Sequence, residues 1–473
     1  MVKGESIFVV PTYRLRDVGE TIEAYDDNFW KNGYSAKLMV FDDSSIASYE
    51  KYYKKLEQTK TYNDLYYIGP HEKREFMRYL IKRLKDKNLE QQVNSLFRPS
   101  YGGNRNFTIA YTLGDLIISS DDDMRPYGIT SESFESLENG EIAKGRIVSA
   151  NTNGLKTIEQ DVIGSFLEVL GKKVRDLPRN YTEGELLIDS SMDLETNISK
   201  GPQDENSLYI QEGKVSHQAI VKMAQTFRSG TSDIDALDYA EFFLKNKDQT
   251  DPQELNSKYI LLNIRPAVTN QNWRMDCGVA GYDNRFGLPP FFPTRLRFED
   301  YAYRLWIQKN GIVSAHVNSI QTHIKSNYMR NPLSMDIINE EIANLLKKKI
   351  KPTVTKISDL SLDFSYDGTI TINDSEEILE KIVGLHRKVL EVKEQSNNEQ
   401  RKIALDKFAN YLHKVFYSFE PDFFQENISR IVDDEITLIK SSMELWPDII
   451  EICYYAKDTM KLPQTKVKNV KIK

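Results

Sequence analysis

Residues 102–123 read GGNRNFTIAYTLGDLIISSDDD. Gly103–Leu113 has the composition of a helix, and the short apolar run within Asp115–Ser119 predicts a strand. That strand runs straight into Asp121-Asp122-Asp123. Adjacent carboxylates repel one another, so a bare triplet at the end of a buried strand costs stability unless a cation sits there. Oxygen ligands of this kind suit Mn2+ or Mg2+, and two carboxylates leave coordination positions open for a diphosphate. The plain alternative is a solvated acidic turn; the position between a strand and Pro126 favours the metal site. Arg105 and Asn106 lie on the preceding helix, behind Gly102-Gly103. Glycines permit a close backbone approach and a guanidinium can fork onto phosphate, although a surface arginine would look the same.

Upstream, the same rhythm of strand and helix repeats. Ser6–Val10, Lys37–Phe41 and Leu65–Ile68 are short apolar runs, separated by helical stretches at Asp17–Lys31, Ser48–Thr59 and Glu72–Asp86. This βαβα order predicts an α/β fold with a mostly parallel sheet covered by helices, in which ligands bind beyond the carboxyl ends of the strands. Those ends carry Pro11-Thr12-Tyr13-Arg14, Asp42-Asp43-Ser44-Ser45 and the acidic triplet. Asp42 and Asp43 have two readings: acceptors for a ribose or base, or ordinary turn chemistry.

Downstream, residues 151–258 are polar and irregular and read as a helical insertion, with helices expected at Ser216–Phe227 and Ile234–Lys245. Alternation returns over 259–328, with strands at Tyr259–Ile264 and Ile312–Val317 and a helix at Phe298–Lys309. Glu299-Asp300 opens that helix, either to complement its dipole or as a general base oriented by Arg304. His323, with His316 as a competitor, is expected a few residues past the last strand as a metal ligand or a structural histidine. Tyr282, Phe286, Phe291 and Phe292 either stack on an acceptor or fill a packed loop. Residues 331–473 read as a separate, mainly helical domain with a small hairpin at Asp367-Gly368. Its apolar stripes, such as Ile378, Ile382, Leu385 and Val389, are packing surfaces, and its basic tail Lys466–Lys473 is expected to fray.

Bulk properties narrow the classes. A length of 473 residues predicts more than one domain, and 40% hydrophobic residues suffice for a sizeable core. A net charge of −7 gives no global attraction to nucleic acid. Two cysteines, Cys277 and Cys453, are too few for a metal knuckle and point to thiols in a reducing compartment. The run Ile7–Val10 is too short for a signal sequence, and no stretch is apolar enough to span a membrane. The expected location is the cytoplasm, free or peripheral at the inner membrane face; oligomeric state is left open.

Taken in order, VVPTYR, FDDSS, GGNRNFTIAYTLGDLIISSDDD, RFEDYAYRLWIQKNG and HIKSN resemble the motifs of GT-A glycosyltransferases of the family 2 type. The resemblance covers residues 5–328, with the insertion about 151–258 set apart. It implies a GT-A domain over 1–330 that takes a nucleotide-diphospho-sugar, a UDP-sugar above all, and transfers the sugar to a hydroxyl of a protein, glycan or lipid-linked glycan. Pro11, Thr12, Tyr13 and Arg14 would line the nucleotide pocket; Asp43, with Asp42 behind it, would hold the base or ribose. Arg105 would approach the base or diphosphate, Asp121 and Asp122 would sit beside the nucleotide, and Asp121, Asp123 and His323 would serve the metal. Asp300 would be the base of an inverting transfer, with Glu299 its neighbour. The chain departs from the family in FDDSS, where glycine is common, in GGNRN, where Ala-Arg-Asn is usual, and in lacking Gln-x-x-Arg-Trp, which disfavours a processive polysaccharide synthase. Two rivals remain: a sugar-phosphate nucleotidylyltransferase, disfavoured because no glycine-rich loop follows the first strand, and a non-catalytic transferase-like scaffold.

Overall fold

In Glu5–Thr12 (β1), successive side chains leave on opposite faces. Val9 enters one apolar cluster, Phe8 and Val10 another. Ser35–Asp42 (β2) divides in the same way, with Met39 and Phe41 on the first side and Leu38 and Val40 on the second. Strands buried on both faces carry no polar side, which is why they read as unbroken apolar runs. The computed structural model describes residues 5–13, 16–131, 145–149, 153–177, 210–211, 214–215, 220–231, 258–262, 268–270, 278–294, 299–300, 303, 313–324, 334–352, 364–366, 370–459 and 462–472. Arg14, Cys277, Arg304 and the helix expected at Ile234–Lys245 lie outside these residues.

The first half of the sheet is parallel: β1 pairs with β2, β2 with Leu65–Ile68 (β3), and β1 also with Leu116–Ser120 (β4). Val18–Lys31 (α1), Pro70–Leu84 (α2) and Tyr101–Tyr111 (α3) cover it. Beyond β4 the sheet becomes mixed. Val221–Thr231 (β5), Val268–Asn270 (β6), Val279–Asp283 (β7) and Val313–His323 (β8) extend it in the order β4-β7-β5-β8-β6, and β7 is antiparallel to both its neighbours. Thr465–Lys466 (β9) closes the far edge against β3. The molecule is therefore α/β with a mixed central sheet and a helical C-terminal region.

Several expectations need correction. The helix expected at Ser216–Phe227 is replaced by β5, an 11-residue strand in the middle of the sheet. Buried Gln225 and Ser229 interrupt its apolar pattern, and Met223 and Ala224 favour helix in isolation. The segment 151–258 is thus not a helical addition alone: Leu155–Glu159 pairs with Tyr127–Ser131, and Val162–Leu167 packs Val162, Ile163 and Phe166 into the second core cluster. The strand expected to stop at Val317 continues to His323.

The C-terminal region was expected to stand apart, yet it shares a core with the sheet. Its helices are Ser334–Lys349 (α4), Ile372–Gln395 (α5), Glu399–Ser418 (α6), Arg430–Met443 (α7) and Trp446–Thr459 (α8). Ile378, Leu412, Ile436 and Trp446 belong to the same apolar cluster as Val9, Phe41 and Ile117. Each such side chain contributes about 1.5–3 kcal/mol on full burial, so the stripes of α5 to α7 bind the helices to the sheet. The turn of the hairpin expected at Asp367-Gly368 lies outside the described residues. Phe364–Tyr366 pairs with Ile350–Pro352, and Ile372 opens α5, whose first turn is boxed by Thr371 N donating to Asp374 Oδ2 at 2.7 Å. The tail does not fray: Val467 N donates to Leu65 O at 2.9 Å and Ile472 N to Thr61 O at 3.0 Å. Cys453 is a buried free thiol whose pKa burial pushes up to about 12, as suits a packing residue.

Candidate functional site

β1 has β2 on one side and β4 on the other, so the strand order reverses there and a crevice opens outside the carboxyl ends. A cavity of about 290 Å³ lies in it. Its lining comes from Pro11, Thr12 and Tyr13 after β1, Asp43 after β2, Asn104 and Arg105 on α3, and Asp121 and Asp122 after β4. Pro99, Ser100 and Tyr101 complete the wall. Two glycines let α3 come this close: a Cβ on Gly102 would lie 2.0 Å from Phe292 O, and one on Gly103 would lie 2.0 Å from Arg98 O.

The two acids after β2 divide their tasks. Asp42 is fully buried and faces away from the cavity; its carboxylate accepts from Ser44 N at 2.7 Å, Ser44 Oγ at 2.6 Å and Tyr67 Oη at 2.6 Å. It fixes the turn, so the turn reading holds for Asp42. Asp43 lines the cavity, 2.5 Å from Lys73 Nζ and 3.1 Å from Ser100 N. Burial raises its pKa, and the Lys73 ammonium opposes that rise.

Arg105 is almost wholly buried, with a terminal nitrogen 3.1 Å from Asp121 Oδ1 and its guanidinium 5.6 Å from the Phe291 ring centre. Burial, and then the charges of Asp123, Asp122 and Asp300 against the opposing Arg105, push the Asp121 pKa to about 7, although its side chain is 36% exposed to the crevice. Glu299 is buried, and burial together with the Asp300 charge pushes it to about 8. The fold therefore brings Glu299-Asp300 from a distant stretch of chain into electrostatic reach of Arg105 and the triplet. Such crowding of like charge is costly in a structural turn and usual in a site that receives a cation or a proton.

The other two members of the triplet have their own partners. The Asp122 carboxylate accepts from Thr12 Oγ1, and its backbone carbonyl accepts from Thr21 Oγ1. Asp123 lies on His323: Nε2 is 3.2 Å from Oδ2, both side chains are buried, and Ile324 N donates to Asp123 O at 2.7 Å. Gly230 has φ +99 beside His323, where an added Cβ would sit 2.2 Å from the His323 carbonyl oxygen. His316 lies earlier on β8, against Phe227 at 5.5 Å, and does not share this place.

Asp123 and His323 are the two side chains here that could ligate a divalent cation. Among the described residues no group of three or more His, Cys, Asp or Glu side chains is arranged to hold a metal. A cation of the Mn2+ or Mg2+ type that keeps waters and takes phosphate oxygens needs only one or two protein ligands. Asp121, expected as a ligand, has its carboxylate engaged by Arg105.

Most of the aromatics before Glu299 are packing residues. Tyr282, Phe291 and Phe292 are buried, and Phe291 stacks on Tyr303 at 3.9 Å; only Phe286 is exposed. The sequence reading missed Lys73, Asn104 and Arg125. Lys73 Nζ lies 2.7 Å from Asn104 Oδ1, and Asn104 Nδ2 donates to Phe41 O at 3.0 Å, tying α3 to the end of β2. Arg125 donates to Thr21 Oγ1 at 2.7 Å and Glu20 Oε2 at 2.9 Å, bracing the turn under Asp122. Asn104 was visible as part of GGNRN; Lys73, among the other charges of HEKRE, gave no signal of its burial. No protein-family model matches the chain and no curated protein is significantly similar to it, so the resemblance to family 2 transferases stands on its ordered motifs.

Proposed function

We propose that the chain is a metal-dependent glycosyltransferase that moves a sugar from a nucleoside-diphosphate sugar, a UDP-sugar by its motifs, to a hydroxyl of a protein, glycan or lipid-linked glycan. The observation that carries this reading is the convergence on one switch-point cavity of Thr12-Tyr13, Asp43, Arg105, Asp121 and Asp122, with Asp123 next in the chain and Glu299 and Asp300 in electrostatic reach. Asp43 offers an acceptor to the base or ribose, and Lys73 keeps that acceptor in place. Arg105 offers its guanidinium to the diphosphate, where charge grows as the sugar leaves. Asp123 and His323 would hold Mn2+ or Mg2+, which when bound supplies positive charge to the leaving diphosphate. Burial and the neighbouring Asp300 charge raise the Glu299 carboxyl, and Asp300, the less buried of the two, takes the proton of the acceptor hydroxyl. Among the described residues no helix is long and apolar enough to cross a membrane.

Thermal stabilisation of the purified protein by UDP, with and without Mn2+, tests the reading. Stabilisation by UDP that needs Mn2+ supports a transferase. A response to nucleoside triphosphates alone supports a nucleotidylyltransferase, and no response to any nucleotide supports a scaffold.

A further inference from the structure

The C-terminal helices touch the segment that leads into Glu299-Asp300 at two places. Trp446 Nε1, at the start of α8, donates to Leu288 O at 2.7 Å. Farther along, Glu435 on α7 accepts from an Arg98 terminal nitrogen and, on the same Oε1, from Thr294 Oγ1 at 3.2 Å. Arg98 Nε donates in turn to Pro293 O. Arg98 immediately precedes Pro99-Ser100-Tyr101 of the cavity wall, whose Ser100 N donates to Asp43 Oδ2 at 3.1 Å. Thr294 comes five residues before Glu299. One carboxylate oxygen thus joins the wall of the cavity to the approach of the acid pair. Both charged side chains are largely withdrawn from water, at 18% and 24% exposure, so the contact is not a loose surface pair.

The geometry points to Glu435 as a positioning residue that sets the Glu299-Asp300 segment against the nucleotide cavity; this inference rests on the transferase reading. Glu435 touches no part of the cavity itself. It acts through Thr294 and Arg98, and so gives the helical region a part in catalysis. Asp43 keeps its Lys73 partner whether or not Glu435 holds Arg98, so donor binding depends on Glu435 less than the placing of the acid pair does.

The test uses the full chain with Glu435→Ala and Glu435→Gln, reading UDP release from UDP-glucose and UDP-N-acetylglucosamine in Mn2+. Misplacement of a base by a fraction of an ångström is enough for about a tenfold fall in kcat for Glu435→Ala. KM for the donor should stay within about twofold. Glu435→Gln keeps an acceptor for both Arg98 and Thr294 and should restore most of the turnover. The Thr294 amide, which donates to Phe292 O at 2.8 Å, should exchange hydrogen faster in Glu435→Ala and not in Glu435→Gln. Unchanged kcat with a lowered melting temperature would reduce Glu435 to a packing residue and overturn the proposal, as would an equal loss in both variants. If the unaltered protein turns over neither donor and binds no UDP, the transferase reading fails, while hydrogen exchange at Thr294 still decides whether Glu435 holds the segment.

Discussion

The strand-end crevice and the C-terminal helices treat charge in opposite ways, although they share a core. At the crevice Asp122, Asp123 and Glu299 are buried, and Asp121 stands among them with its pKa raised to about 7. On the helices, carboxylates are paired one by one with a cation: Glu399 with Lys402 at 2.6 Å and 77% exposure, Asp406 with Lys393 at 2.5 Å and 51% exposure, and the buried Glu341 with Lys381 at 2.8 Å. Surface pairs of that kind contribute about 0–1 kcal/mol, and the helices are held by their apolar stripes instead. Buried like charges are kept only where something offsets their cost. The contrast therefore sets a crevice of crowded like charge beside helices that are held by packing, with Glu435 as the link between them.

The contrast breaks most sharply at Asp300. Asp300→Asn should cut turnover by about 10²–10⁴ while UDP binding in Mn2+ stays unchanged; steady-state kinetics beside calorimetry checks both, and near-normal turnover would remove Asp300 from the chemistry. On the packing side, Trp446→Ala removes a fully buried ring and its bond to Leu288. It should cost about 3–5 kcal/mol in one cooperative urea transition. Two separate transitions would mean that the helices fold as a unit of their own.

A smaller effect concerns pH. In the metal-free protein, burial pushes the Asp121 carboxyl up to about 7 and the Glu299 carboxyl up to about 8, from their ordinary 3.8 and 4.5. Groups raised in this way add stability that is complete below the ordinary values and is lost as pH rises through the folded ones. The melting temperature should therefore drift down between about pH 4 and about pH 8, and Asp121→Asn should flatten part of the slope. A melting temperature that rises across that interval in both proteins would contradict the buried-charge description. The least effect is expected at Lys466, which pairs with Asp64 on the surface at 2.5 Å. Lys466→Ala should leave the midpoint of chemical denaturation essentially unchanged, and a clear loss would show that the closing strand depends on charge.

What the sequence disclosed follows from how local each signal is. β1, β2, β3 and β4 were legible because strands buried on both faces leave apolar runs next to polar ends, and the crevice residues are those ends. β5 was not, because Gln225, Ser229 and Gly230 are buried in a strand by partners far along the chain. Asp42 and Asp43 look alike in sequence, and only Tyr67 and Lys73, brought up from the next strand and helix, tell them apart. The Asp123–His323 pair was expected from motif order, but its closeness depends on β8 running past Val317. The attachment of the helices could not be read at all. An amphipathic stripe records that a face is buried, not which surface buries it.

The most direct measurement is a crystal structure of the protein soaked with UDP and Mn2+, with anomalous diffraction to locate manganese. The expected result is one manganese peak against Asp123 and His323, with the diphosphate between it and Arg105 and the base near Asp43. A nucleotide bound elsewhere, with no anomalous peak beside the aspartate triplet, would contradict the assignment of this crevice to sugar transfer.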